Sequence, residues 1–264
     1  MAVYLCFLFF FLLFSSVNAA CNQCVQAKAT FFRNSEALSY GACGYGPIAL
    51  NLNAGHVAAA LPSIYKDGEG CGSCFQIRCN KTGVCKGTGT TFVVTDSQTD
   101  DQNITTDFVL SNRAFRAMAL PGMDKQLLHL GIADVEYKRV PCVYKHQNLA
   151  IRVEEFSKPP NYLAIKVLYQ GGQTSILGGD VARDDESVWA FLSRKYGAVW
   201  DTDSAPTGNL TFRFIINSGF NPRYFYTNQG VLPANWKAGV IYNSTVQITD
   251  VALDVCGRNC KPWK

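Results

Sequence analysis

The sequence predicts an all-β protein of two successive units, a small closed β structure with one or two short helices and then an antiparallel β-sandwich. Three observations carry this prediction. Short β-prone runs, such as Thr90 to Thr95 and Ile132 to Val140, are punctuated by the glycine turns "SYGACGYG", "KDGEGCGSC" and "KGTGT". Cysteines crowd the first part: eight fall between 21 and 142, none between 143 and 255, and two beyond. After Cys142 the apolar residues alternate. Leu149, Ile151 and Val153 share a face, as do Leu163, Ile165 and Val167, and later Leu210, Phe212, Phe214 and Ile216.

Taken in order, residues 1–20 read as a secretory signal peptide. "VYLCFLFFFLLF" is one apolar run too short for an ordinary membrane span, and "SSVNAA" ends it in small residues, with cleavage near Ala19 or Ala20. An uncleaved anchor is the alternative, and no later stretch could span a bilayer. Loss of this segment removes Cys6 and leaves ten of eleven cysteines. An even count in an exported chain argues for disulfides over the zinc site that Cys71-x-x-Cys74 also suggests. Sequons start at Asn80, Asn103, Asn209 and Asn243, each an expected surface glycan position, with Asn80 hemmed in by cysteines.

Residues 21–142 form the expected first unit. "SNRAFRAM" from Ser111 to Met118 has a helical pattern and is followed by Pro121-Gly122. Residues 143–246 form the second, and 247–264 an appended tail with Cys256 and Cys260. The net charge of +4 suits a weakly acidic polymer such as pectin, though an ordinary solvated surface is the simpler account. No dense Lys/Arg run points to nucleic acid.

These residues resemble the plant expansin family. The match runs through "ATFF", "GACGYG", "GCGSCFQIRC", "VTD", "EYKRVPC", "SRKYGAVW" and "VLPANWKAG", and so covers nearly all of the mature chain. The tail and the triplet at 107–109 look most like the expansin-like A branch. The resemblance implies a six-stranded double-psi β-barrel, related to family-45 endoglucanases, followed by an immunoglobulin-like sandwich that binds cellulose. It implies the disulfides Cys43–Cys71, Cys74–Cys142 and Cys79–Cys85, and leaves Cys21, Cys24, Cys256 and Cys260 unassigned. It also implies a secreted, monomeric wall protein with cellulose and xyloglucan as partners and no metal or organic cofactor.

Glycoside hydrolysis generally needs two carboxyl groups, one to protonate the leaving oxygen and one to activate water or attack the sugar. The resemblance places Asp96 at one groove position. With "LSNRAF" setting the register, Val109 stands where the family's second acid would be, and valine can neither donate nor accept a proton. Asp107 precedes it by two positions, so an extended strand would turn it to the same face but displace it by about 6–7 Å. The expectation is a groove with an incomplete pair that binds glucan without cutting it and serves to loosen the wall; the alternatives are a carbohydrate-binding module without loosening activity and a weak endoglucanase using Asp96 with Asp107. Thr30 and Tyr45 match groove positions that hydrogen-bond around the acid. Phe31 reads as core, and His56, with no partner pattern, as structural.

A second candidate site is a flat aromatic face for stacking on glucose rings. Tyr162, Ala164 and Lys166 alternate with the apolar Leu163, Ile165 and Val167, which predicts that Tyr162 and Lys166 lie on an exposed face. The resemblance adds Tyr196, and Asn161 replaces an aromatic present in some relatives. Trp189, Trp200 and Trp236 are expected in the core.

Overall fold

The computed structural model describes residues 25–98, 106–219 and 221–251. The signal segment, the Asn103 sequon and all four cysteines without an assigned partner lie outside them. Six strands close into a barrel: β1 (Val25–Phe31), β2 (Val57–Ala60), β3 (Cys74–Cys79), β4 (Thr90–Ser97), β5 (Phe108–Leu110) and β6 (Ala133–Val140). Their order is β1-β5-β2-β4-β3-β6. The β1–β5 and β2–β4 pairs are parallel and the rest antiparallel. This is the double-psi barrel. Closure removes the exposed strand edges that an open sheet of this size would present.

The barrel closes around aromatic residues whose strands bring them inward. Phe92 lies 5.8 Å from Phe75 and 5.3 Å from Phe108, and Tyr137 lies 4.8 Å from Phe108, centroid to centroid. Three short helices decorate it: α1 (Pro62–Tyr65), α2 (Asn112–Arg116) and α3 (Asp124–Leu130). Ser111 caps α2, its hydroxyl accepting from the Ala114 amide at 3.2 Å. The helix is shorter than the 111–118 pattern suggests, and its end continues as hydrogen-bonded turns to Ala119. Disulfides join Cys43 to Cys71, Cys74 to Cys142 and Cys79 to Cys85.

Beyond Cys142 come β7 (Ala150–Val153), β8 (Leu163–Leu168), β9 (Ser175–Arg183), β10 (Ala190–Tyr196), β11 (Val199–Thr202), β12 (Leu210–Asn217), β13 (Arg223–Tyr226) and β14 (Ile241–Asn243). They form one curled antiparallel sheet in the order β13-β12-β9-β10-β11-β8-β7-β14. Strand β10 is the fold line. Ala190 to Leu192 pair with β9, while Ser193 to Tyr196 pair with β11. The two halves pack face to face through Leu163, Ile165 and Val167 on one side and Phe212, Phe214 and Ile216 on the other. Burying each such side chain contributes about 1.5–3 kcal/mol. Trp200 and Trp236 join this core, but Trp189 does not: it is half-exposed on an outer face, under Arg213.

Barrel and sandwich meet across a largely apolar seam. Cys142 and Gly172 exchange backbone hydrogen bonds of 2.7 and 3.1 Å, and the Ala198 amide donates to the Cys43 carbonyl at 3.0 Å. Gly197, at φ +48°, sits so close that a Cβ would stand 2.5 Å from the Ala42 oxygen and the Cys43 Cα.

Candidate functional site

The strand registers bring four residues into one line across the outside of the barrel. Thr30 is paired with Val109, Val109 with Ala59, and Ala59 with Asp96. Adjacent strands lie about 4.8 Å apart, so Val109 stands roughly 10 Å from Asp96 between Cα atoms, with Ala59 as the floor. An acid at 109 would face Asp96 across a gap of the kind a carboxylate pair needs. Valine leaves the row with a single carboxyl group.

That carboxyl is held rigidly. Asp96 Oδ1 accepts from the Ala42 amide at 2.6 Å and from its neighbour Ser97 at 2.8 Å. Burial pushes its pKa above the usual carboxylate value, and the two amide donors only partly oppose this. Gly41 makes the approach possible, since a Cβ there would lie 2.4 Å from the Thr95 oxygen. Tyr65 closes the same corner, its hydroxyl donating to the Ala42 carbonyl at 3.2 Å. Thr30 ends the row, donating to the Gly131 carbonyl at 2.8 Å.

Two sequence-predicted groove residues lie elsewhere. Asp107 stops short of β5, and its Oδ2 accepts from the Lys28 amide at 2.7 Å while its own amide donates to the Lys28 carbonyl. It staples β1 and does not replace the missing acid. Tyr45 is 5 % exposed and lies in the seam with Cys43, Cys71 and Ala198. Burial pushes its phenol far above its ordinary range. The turn "GACGYG" faces both ways, so its tyrosine enters the seam while Ala42 faces the groove. Phe31 packs on Phe115 at 4.9 Å in the barrel core. His56 Nδ1 meets the Thr90 hydroxyl at 3.0 Å, and burial lowers its pKa.

Further along the strands lies a cavity of about 630 Å³. Phe32 and Ser111, two residues beyond Thr30 and Val109 and so on the same face, line it with Leu38, Arg33, Arg113 and Arg116. Arg116 is paired with Asp124. The other end leads to the sandwich. The Tyr196 ring leans on Gly44, where a Cβ would meet it at 2.5 Å. Only Cys43 separates Gly44 from Ala42 along the chain, so this one turn carries both the Tyr196 contact and the amide that holds Asp96.

On that face Tyr196 is 43 % exposed and Tyr162 half-exposed. The Tyr162 hydroxyl donates to Asp201 Oδ2 at 2.8 Å, and Lys195 Nζ reaches the same oxygen at 2.8 Å. Lys195 also lies 5.9 Å from the Phe156 ring and 5.8 Å from that of Tyr162. Phe156, 38 % exposed and 6.4 Å from Tyr162, is a ring the sequence reading missed. It sits in the turn between β7 and β8, where no alternation marks it.

Lys166 is the main correction. It points to the expected side of β8 but is 3 % exposed. Arg152 and Val199 flank it from the neighbouring strands, and Nζ binds Glu154 at 3.0 Å. Arg152 pairs with Glu154 at 2.9 Å and with Glu155. Alternation identifies the face but does not say whether long neighbours cover it. Burial lowers the Lys166 pKa despite its partner. Of the sequon asparagines, Asn80, Asn209 and Asn243 are exposed, and Asn80 is accessible despite the flanking cysteines. Among the described residues no three His, Cys, Asp or Glu side chains gather to hold a metal ion, and no helix is long and apolar enough to cross a membrane.

Comparison with known proteins fits this geometry. Residues 149–233 match a family model described as the expansin C-terminal domain, and residues 57–137 one described as lytic transglycolase. Expansin-like A3 of Arabidopsis thaliana is 55 % identical over 94 % of this chain and 95 % of its own. Expansin-like A3 of Oryza sativa subsp. japonica is 43 % identical over 90 % and 87 %. The crystal structure of a Clavibacter michiganensis expansin superposes with a TM-score of 0.64 at 19 % identity, over 84 % of this chain and 96 % of that one. A point mutant of that bacterial expansin, in complex with cellohexaose, superposes equally well.

Proposed function

The chain belongs to the expansin family, in its expansin-like A branch, and we propose that it is a secreted cell-wall protein that binds cellulose-type glucan without hydrolysing it. The observation that carries this reading is the row Thr30–Val109–Ala59–Asp96, which offers one carboxyl group where hydrolysis needs two. A protonatable Asp96 and the polar Thr30 can still hydrogen-bond a chain lying across the row. Tyr162, Tyr196 and Phe156 supply rings for the apolar faces of glucose, at roughly 1 kcal/mol per ring. The bacterial relative that takes cellohexaose supports a glucan ligand. Xyloglucan is the matrix partner this reading adds. Held by the row and by the rings, a chain is pulled from its neighbours by exchange of non-covalent contacts, which lets a wall yield.

The test applies the mature protein to heat-inactivated wall strips under constant load, with reducing ends from soluble glucan assayed in parallel. The expected result is cellulose binding and extension with no new reducing ends. Binding without extension reduces the protein to a carbohydrate-binding module. Reducing ends that disappear in Asp96→Asn would sink the non-hydrolytic reading.

A further inference from the structure

The half-exposed Trp189 belongs to a second aromatic surface on the outer face of the opposite half-sheet. The registers define its main row: Phe191 on β10 is paired with Asp180 on β9, Asp180 with Arg213 on β12, and Arg213 with Tyr226 on β13. Three inter-strand gaps make this row about 14 Å long. Trp189 lies two residues before Phe191 and Tyr224 two before Tyr226, so both share the face. Phe191 is 61 % exposed, Tyr226 52 % and Tyr224 44 %. Three of the rings are contiguous, with Trp189 to Tyr226 at 6.0 Å and Tyr224 to Tyr226 at 6.1 Å. Isolated exposed aromatics mean little, but a contiguous patch marks a contact surface.

Its charges say what it contacts. The Arg213 guanidinium lies 4.3 Å from the Trp189 ring and 4.4 Å from that of Tyr224, and it is paired with Asp180 at 2.7 Å. At the margin, Arg223 is paired with Asp250 at 2.6 Å. Every ionic group in the row is thus neutralised within it and held in place. A polyanion or an anionic lipid surface would find no unpaired cation. The face offers rings, a stacked guanidinium and phenol hydroxyls in one layer, the complement of an uncharged polymer with flat apolar ring faces and hydroxyl edges. We propose that it is a second binding face for neutral β-glucan. Because the sandwich core lies between it and the Tyr162–Tyr196 face, one copy of the protein bridges two glucan chains. The bridging rests on the platform reading above; the second face does not.

Three forms of the mature protein test this: wild type, Tyr224→Ala/Tyr226→Ala and Tyr162→Ala/Tyr196→Ala. Each is sedimented with microcrystalline cellulose and mixed with cellulose nanocrystals, whose bundling is read by light scattering. Wild type should bind and bundle. The second-face variant should bind within about 5-fold of wild type but lose bundling. The platform variant should lose bundling while its tryptophan fluorescence still responds to cellohexaose, with a further loss of about 5-fold in affinity for each second-face ring removed. If Tyr224→Ala/Tyr226→Ala does not fold, Phe191→Ser replaces it. Undiminished bundling and binding in the second-face variants overturns the proposal. So does sedimentation velocity showing wild type, but not these variants, self-associating without polymer, which would assign the face to a second copy. If only the platform reading is wrong, wild type does not bundle, the platform variant binds like wild type, and the second-face variant loses binding.

Discussion

The barrel row and the sandwich face are built on opposite principles. In the row a carboxyl group is kept and its partner is absent: Asp96 is positioned by two amides and partly buried, yet faces Val109. On the sandwich face Lys166 is held by Glu154 and Lys195 by Asp201, and the rings stay exposed beside them. On the proposed reading the barrel keeps one carboxyl group of a pair, whereas the sandwich uses these lysines as scaffolding. In such an arrangement affinity comes from the rings, and Asp96 tunes a contact.

The largest test of that contrast is structural. If Lys166 is scaffolding, Lys166→Ala leaves Glu154 buried with only Arg152, and the unfolding free energy should fall by about 3 kcal/mol, at the low end for a broken buried pair because Arg152 remains. Lys166→Met with Glu154→Leu should recover most of the loss. Denaturant titration decides it, and a neutral Lys166→Ala would mean that the lysine is available to a ligand after all. Next come the rings. Tyr162→Ala and Tyr196→Ala should each weaken cellulose binding by about 5-fold, or roughly 1 kcal/mol, in sedimentation isotherms. Tyr162→Phe should cost less, since the Asp201 bond positions the ring without stacking on the polymer. Equal losses for Phe and Ala would shift the contribution from the ring to the hydroxyl.

Much of this was legible in the sequence where period and composition speak. Strands β4, β6, β7, β8 and β12 follow from β-prone or alternating runs, and the sandwich core from the same alternation. The disulfide pairing came only from the family resemblance, because ten cysteines allow far more pairings than spacing can separate. The failures share one feature: local pattern reports direction and not depth. It turned Lys166 to the right face and missed that Arg152 and Val199 cover it. It could not see that the turn at Tyr45 delivers its ring into the seam between barrel and sandwich. Trp189 was expected inside because large aromatics dominate cores. Its two-residue offset from Phe191, and the matching Tyr224 and Tyr226 in "RYFY", are the signal that would have placed it outside.

The smaller tests address the row. Burial raises the Asp96 pKa, so the folded state holds that proton more tightly than the unfolded chain. Between the ordinary carboxylate value of 3.8 and the raised one, folding takes up protons. This contribution to stability is complete below the unfolded value and is lost as pH rises through the folded one. Asp96→Asn lacks it. The melting temperature of wild type relative to the variant should therefore climb as pH falls from about 6 to about 4. A constant difference would mean that Asp96 titrates like a solvated acid.

Val109→Asp is the finest probe, because it asks whether the row is one electrostatic unit. The new carboxyl would stand two strands from Asp96, above the buried Ala59. Two like charges roughly 8 Å apart at a partly screened surface disfavour joint ionisation, and Asp96 should titrate higher by on the order of half a unit. Carboxyl resonances followed by NMR across the acid range measure this directly. An unmoved Asp96 would show that position 109 does not share its groove, and the missing acid would lose its claim to explain a binding site that does not cut. A shift of the expected sign, with no reducing ends from glucan, would separate geometry from chemistry. The pair would then be restored in space while the protein remained a binder, and the missing function would have to be sought in what positions water and the sugar around it.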